Sequence, residues 1–460
     1  MPTNPYTSAE IADSRLLFQV IEALEDGDSS DEEVAETLLL AAAEPLQRRL
    51  LQDIGPERLS LERLQREAVG RGRNVDDASV TTYVTFGFRL DWLPLVVQAL
   101  QLPDEFETDG GHLFTGEEAV LLLLRRYRST EPLRSMTWET GRSISAISEA
   151  VWFTIEHIHH TFPHLIDARS FSSWAPHFRE FADAFVDAGI PIPNLIGFID
   201  GKLWPVCRPG RYQHILYSGH KRIHGLKTQG IVFPNGVCAP EHACMSPTST
   251  SSHFAAALCC LHDLYIRCIA HHNGIIKKPT NKYIPHNPTY LRINYPLLSG
   301  ISPFMFGPVN GARHDSTVLR RSNILQVLHD ICRGGPLAWP GAPGGLGEDF
   351  ALFGDSAYPL STFLWRMYKG VMQAWQRAFN RDMSPERVSV EWGFGKMVNL
   401  WPFLDYRKKH KVLQSPVGRH FAVGNILTNI HTILSGGNII SRRYGLSPPM
   451  LDRYISGGPY

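Results

Sequence analysis

Hydrophobic and polar positions along this chain follow two different periods, helical in the first third and strand-like after Ile192. Leu16, Leu17, Val20, Ile21 and Leu24 recur at helical spacing, Ser30 and Glu33 make a capping-box pair, and acidic residues far outnumber Arg15 between Glu10 and Glu36. Residues 1–80 therefore read as an acidic helical arm. A helix is expected from about Phe88 to Leu102, ended by Pro103 before the turn-rich DEFETDGGH. Thr115 with Glu118 is a second capping box, opening an apolar helix through Leu124 that closes on Arg125-Arg126-Tyr127-Arg128. Leu133 to Thr140, then Gly141, then Ser143 to His160 with Ile144, Ile147, Val151, Ile155 and Ile158 on one face is a helix-turn-helix layout within 81–165. In such a unit Arg142, Ser143, Ser145 and Ser148 would stand where a recognition helix meets DNA; a plain three-helix packing unit is the alternative.

The second period builds a sheet within residues 190–435. Leu195 to Asp200 reads as a buried strand ending in a carboxylate, with Leu203 to Val206 as a possible second strand. Gly225 to Phe233 runs into Pro234-Asn235-Gly236, a strong hairpin-turn signal, yet no partner strand is evident until Pro303–Phe306. Residues 237–300 thus read as an insertion at the hairpin tip, or as translated intron sequence whose removal restores a tight hairpin. A helix is expected from Asp315 to about Ile331, a mobile Gly/Pro loop from Arg333 to Gly347, and a strand through Phe350–Gly354 that stops at Asp355. Pro359 to Lys369 reads as a helix closed by Gly370, and Ser384-Pro385 as the start of another. That helix carries Val390, Phe394, Met397, Val398 and Trp401 on its apolar face and Glu391 at its border. A last helix runs from Phe421 to Leu434, and 436–460 reads as a loosely ordered tail.

Composition sharpens this picture at three points. Lys plus Arg and Asp plus Glu balance at 45 each in 460 residues, so contact with nucleic acid must come from local patches such as Arg407-Lys408-Lys409. The apolar runs are too short to span a bilayer and the N-terminus lacks a signal pattern, which leads to the expectation of a soluble intracellular protein without a membrane partner. Seven cysteines without framework spacing argue for a reducing compartment. Cys238, Cys244, Cys259, Cys260 and Cys268 lie in the insertion with His242, His253, His262, His271 and His272, but no paired zinc-ligand spacing is present.

The strand-strand-helix order of Asp200, Asp355 and Glu391 is that of an RNase H-like nuclease, an α/β fold with a mixed sheet flanked by helices, here preceded by an all-α region. Converging carboxylates repel one another unless a hard divalent ion sits between them, and two such ions can drive an in-line displacement at a phosphodiester. Taken singly each residue has an ordinary reading: a turn dipeptide for Asp200-Gly201, a helix cap for Asp355, an ion pair with Arg387 for Glu391. IGFIDGK, Tyr217 to Gln229, GPVNGARHDS, FGDSAYPL and the Glu391 helix, in that order, resemble DDE-type transposases of the PIF/Harbinger superfamily; the resemblance covers about Phe88 to Leu434 and includes thirty-five residues between Asp355 and Glu391. It implies a nuclear enzyme that cuts and joins DNA at transposon ends and target, with Mg2+ or Mn2+ held by Asp200, Asp355 and Glu391. His314 and Asp315 match a supporting motif. His220, Lys221, Arg222, His224 and Lys227 would lie near the DNA backbone, with Lys396 and Arg407 to Lys409 as further DNA contacts. The family also implies a Myb-like partner protein and a homo-oligomer, while some relatives have become host DNA-binding proteins without catalysis.

Overall fold

The computed structural model describes residues 57–70, 75–165, 168–211, 213–240, 309–386, 388–412 and 414–457. The acidic stretch before residue 57 and residues 241–308, which hold most of the expected 237–300 insertion, its cysteines and histidines other than Cys238, and the expected return strand at Pro303–Phe306, lie outside the described residues.

The first half is helical: α1 (Leu61–Gly70), α2 (Val75–Phe86), α3 (Leu93–Leu100), α4 (Gly116–Arg128), α5 (Leu133–Thr140) and α6 (Ile144–Thr161), with a small hairpin of β1 (Glu105–Glu107) and β2 (Leu113–Thr115) between α3 and α4. The hairpin occupies the stretch expected only as a turn; its two buried rings, Phe106 and Phe114, stack at 5.9 Å. Thr115 caps α4 as its pattern predicts, its Oγ1 accepting from the Glu118 N–H at 3.1 Å. Five consecutive residues of α4, Val120 to Leu124, are fully buried, so this helix is the axis on which α2, α3 and α6 pack, with α5 resting on α6. Helix α5 ends on Gly141 at φ +66°, a left-handed C-cap that glycine adopts without strain.

Next come α7 (Phe178–Asp187), β3 (Leu195–Pro205), β4 (Tyr217–Ser218), β5 (Ile223–Val232), β6 (Cys238–Pro240), β7 (Val309–Asn310), α8 (Asp315–Ser322), α9 (Ile324–Arg333), β8 (Ala351–Gly354) and β9 (Leu364–Arg366). The chain closes with α10 (Ala374–Met383), α11 (Val388–Leu400), α12 (Val417–Leu434), α13 (Ile439–Tyr444) and α14 (Leu451–Ser456). The sheet order is β4-β5-β3-β8-β9, antiparallel between β3 and β5 and parallel from β3 through β9; β6 and β7 pair with β5. This is a mixed sheet flanked by helices, compatible with an RNase H-like domain.

Alternation along β3 gives the sheet two faces. Phe198, Asp200, Lys202 and Trp204 point to the front, where α11 and α12 lie: Trp204 stacks on Phe421 at 4.5 Å, and a Cβ on Gly393 would come within 2.9 Å of Val232, the partner of Phe198. Gly393 is therefore the residue that lets α11 approach the sheet closely. The C-terminal end of α11 is held by the helical half: the Arg128 guanidinium donates to the carbonyls of Asn399 and Leu400, and Trp401 packs against Phe88 and Tyr127. One continuous hydrophobic cluster thus runs from the helices into the sheet.

Several expectations change. The partner of the Asn235-Gly236 turn does follow at once: β6 pairs with β5 from Val232↔Cys238 to Gly230↔Pro240, and Gly236 turns at φ +79°. The described part of β6 ends at Pro240, and β7 pairs with the same strand from Lys227↔Val309. Leu203 continues β3 and starts no second strand. Pro359–Lys369 is no helix: Leu364, Trp365 and Arg366 extend the sheet beside Leu352, Phe353 and Gly354, because pairing to an open strand edge overrides the local pattern. Ser384 ends α10 and precedes α11, which starts only at Val388. The helix expected from Asp315 to Ile331 breaks at Asn323, which takes φ +57°. The supposed loose tail folds into α13 and α14, anchored by buried Tyr444 and Tyr454, by the Asn438 capping box and by an Arg443–Glu386 ion pair.

Candidate active site

Asp200 sits within β3 and Asp355 directly follows β8. The parallel register between these strands ends at Ile199↔Gly354, and one further step brings Asp200 and Asp355 side by side, about 5 Å apart at the backbone by strand spacing. By alternation both belong to the front face with Phe198 and Phe353. Each carboxylate is partly exposed and accepts from the next backbone N–H, Asp200 from Gly201 at 2.7 Å and Asp355 from Ser356. The Ser356 carbonyl accepts from Arg366 of β9 at 2.8 Å, which fixes the turn leaving the strand. Two glycines make room: a Cβ on Gly354 would strike the Tyr358 ring at 2.5 Å, and one on Gly201 would lie 2.9 Å from the Asp315 carboxylate.

Glu391 is exposed in the first turn of α11, the helix crossing this front face, one turn before buried Phe394. Among the described residues no three His, Cys, Asp or Glu side chains gather into a metal-binding group. Two hard oxygen donors at adjacent strand positions do suit Mg2+ or Mn2+, since paired carboxylates favour a cation between them.

The opposite face carries a different set. Asp315, the first residue of α8, pairs with Lys227 at 2.9 Å, and the Gln229 side-chain amide donates to the Tyr358 hydroxyl at 2.8 Å. Lys227 and Gln229 are opposite Leu203 and Gly201, so this polar group lies behind the strand that carries Asp200. His314 is the N-cap residue of α8 without a side-chain capping bond. Gln229 and Tyr358 were not singled out in the sequence, although Tyr358 stands inside the FGDSAYPL run.

The basic residues divide between surface and core. His220, Lys221 and Arg222 are exposed at the β4–β5 hairpin tip, the half-buried His224 ring lies 5.2 Å from Tyr217 at a tilt of 58°, and Arg407 and Lys408 are exposed on a single 3-10 turn. Burial first, then nearby Arg126 and Lys411, lowers the Lys409 ammonium pKa. Arg142, by contrast, is buried in a two-pronged ion pair with Glu118 and lies over the Phe114 ring, so its charge is used in packing. Ser143 caps α6 by accepting from Ala146. Lys396 points into the seam between α11 and α12, donating to Thr432 Oγ1 at 2.8 Å; burial, reinforced by Arg442, lowers its pKa to about 8.

Residues 298–429 match the family model of the DDE superfamily endonucleases. The matched stretch includes Asp315, Asp355 and Glu391, and supports a DDE-type endonuclease or transposase; Asp200 precedes it. That superfamily generally uses divalent cations and implies DNA as the substrate. No curated protein and no solved structure matches the chain.

Proposed function

We propose that the chain is a cut-and-paste DNA transposase of the PIF/Harbinger type. The observation that carries this reading is the pair Asp200 and Asp355, each one residue past the last paired positions of two neighbouring parallel strands, Ile199↔Gly354, on the face crossed by the Glu391 helix. Asp200, Asp355 and Glu391 would hold the divalent cation, which when bound supplies a Lewis acid for phosphodiester hydrolysis and strand transfer. The chain's own part is positional: β3 and β8 set two carboxylates in fixed register, the Ser356–Arg366 contact holds the turn after Asp355, and Gly393 admits α11 against the sheet. Nuclear action, a homo-oligomer and a Myb-like partner belong to the same reading, as does DNA contact through the hairpin tip and the Arg407–Lys409 turn. The α5–α6 pair would add DNA contact through its exposed Ser145 and Ser148.

A second reading, a host-recruited DNA-binding protein without catalysis, is favoured by the lack of a gathered three-carboxylate group among the described residues. The deciding experiment incubates labelled DNA carrying the element's inverted ends with Mg2+ or Mn2+. The enzyme reading expects nicked and joined products that Asp355→Ala reduces about a hundred- to a thousandfold, the scale of losing a main electrostatic contributor. Equal product from both proteins removes the assignment, and DNA binding without metal-dependent product leaves the second reading.

A further inference from the structure

We infer that the shallow pocket at the β4–β5 edge is a stacking site for a nucleotide of single-stranded DNA flanking the cut. The inference rests on the DNA-cleaving reading for the identity of the ligand, and on three observations for the site. First, the chain is neutral overall, yet from Gly201 to Pro240 it holds six Lys and Arg and no Asp or Glu. Second, a pocket of about 360 Å³ opens here, lined by Arg208, Gln213, His214, Tyr217 and His224, at the lower end of the size range of small-ligand sites. Third, Tyr217 is 41% exposed although its ring packs against His224, so an aromatic face is presented to solvent beside cations.

These groups are held in place. Antiparallel pairing of Tyr217 with His224 sets the two rings, the Arg208 guanidinium donates to Gln213 Oε1 at 3.0 Å, and the hairpin is closed by the Arg222 backbone N–H donating to the Ser218 carbonyl at 2.8 Å, with Arg222 at φ +56°. An exposed tyrosine ring lining one pocket with Arg208, exposed His214 and half-buried His224 suits a nucleobase and its phosphate, because stacking accepts any base while the guanidinium follows the backbone. His224 lies six strand positions along β5 from Gly230, the partner of Asp200, so the pocket is about 20 Å from the strand aspartate. That span takes at most about six nucleotides, the number at the duplex spacing of about 3.4 Å each. A duplex end at the carboxylates would thus send a short unpaired flank to Tyr217.

The test measures fluorescence anisotropy of two oligonucleotides, a blunt duplex and the same duplex with a six-thymidine flank, on the full chain carrying Asp355→Ala and without divalent cation. The flanked DNA is expected to bind about tenfold more tightly. Tyr217→Ala should abolish that preference while leaving blunt-duplex affinity and salt dependence unchanged, and Tyr217→Phe should retain it. Lys221→Gln and Arg222→Gln should weaken both DNAs alike and each reduce the salt slope by about one. A preference that survives Tyr217→Ala, or a parent protein that binds both DNAs equally, overturns the stacking site. If the preference follows Tyr217 but no metal-dependent product forms with the native carboxylates, the site stands and only the catalytic reading falls.

Discussion

The two faces of β3 at the level of Asp200 and Gly201 hold opposite arrangements of charge. Behind the strand, Asp315 has Lys227 within 2.9 Å and Gln229 is joined to Tyr358, so that side is a closed polar brace. In front, Asp200 and Asp355 share one face, each accepting from the next backbone N–H. The difference separates two roles: the rear group braces the sheet, while the front places Asp200 and Asp355 on the face crossed by the Glu391 helix. The rear brace also explains why an HD dipeptide looks like part of a site in sequence. It supports the strand from the other side.

The largest effect that would separate the faces comes from acid. Helix α12 and the turn before it, which cover the front, contain His410, His420 and His431, all buried and held neutral: burial is the main cause in each, with Arg126, Arg128, Lys396 and neighbouring histidine charge adding to it. His410 is lowered to about 4 and His431 to about 3, against about 6.5 when unfolded. Depressed histidines contribute stability that is complete above pH about 6.5 and is lost as pH falls toward 4 and then 3, by up to about 1.4 kcal/mol per pH unit for each. Urea midpoints at pH 7.5, 6 and 5 should fall accordingly, with the front losing hydrogen-exchange protection before the Asp315–Lys227 side. A flat profile across that range would contradict the buried, neutral state.

A smaller effect is expected behind the strand. Lys227→Met leaves the Asp315 carboxylate without its ion-pair partner at 28% side-chain exposure, and should cost about 1–3 kcal/mol in urea unfolding, most of it recovered by adding Asp315→Asn. Cleavage by Lys227→Met, measured below its unfolding transition, should fall less than about tenfold, in contrast to the loss from Asp355→Ala. A loss equal to that of Asp355→Ala would move Lys227 from the brace into the chemistry.

The smallest effect is expected from the longest change. Between the β6 and β7 registers only Gln229 and Thr228 of β5 separate the paired positions, whereas residues 241–308 separate the two strands in sequence. Replacing 241–308 by two strand-forming residues should give one continuous edge strand and a melting temperature within a few degrees of the parent. A replacement protein that fails to fold would show that the segment contributes to the domain.

Much of this was legible in the residues themselves. Thr115 with Glu118 starts a helix because the cap is local, Asp200 and Asp355 end apolar runs that can only be buried strands, and Asn235-Gly236 turns because few residues tolerate positive φ. What depended on distant parts of the chain was misread or unseen. Leu364–Arg366 is a strand only because β8 leaves an edge beside it, Cys238–Pro240 is a partner strand only because β5 is there, and residues after Gly436 fold because Glu386 and the hairpin turn await Arg443 and Asn438. Arg142 looked like a DNA contact until Glu118, a turn and two helices' packing away, took its charge. Local hydrogen bonding and periodicity are properties of a few consecutive residues and so are written in the sequence. Which face of the sheet a charge occupies depends on register between strands far apart in the chain, and only the folded chain sets Asp200 beside Asp355 in front and Asp315 with Lys227 behind.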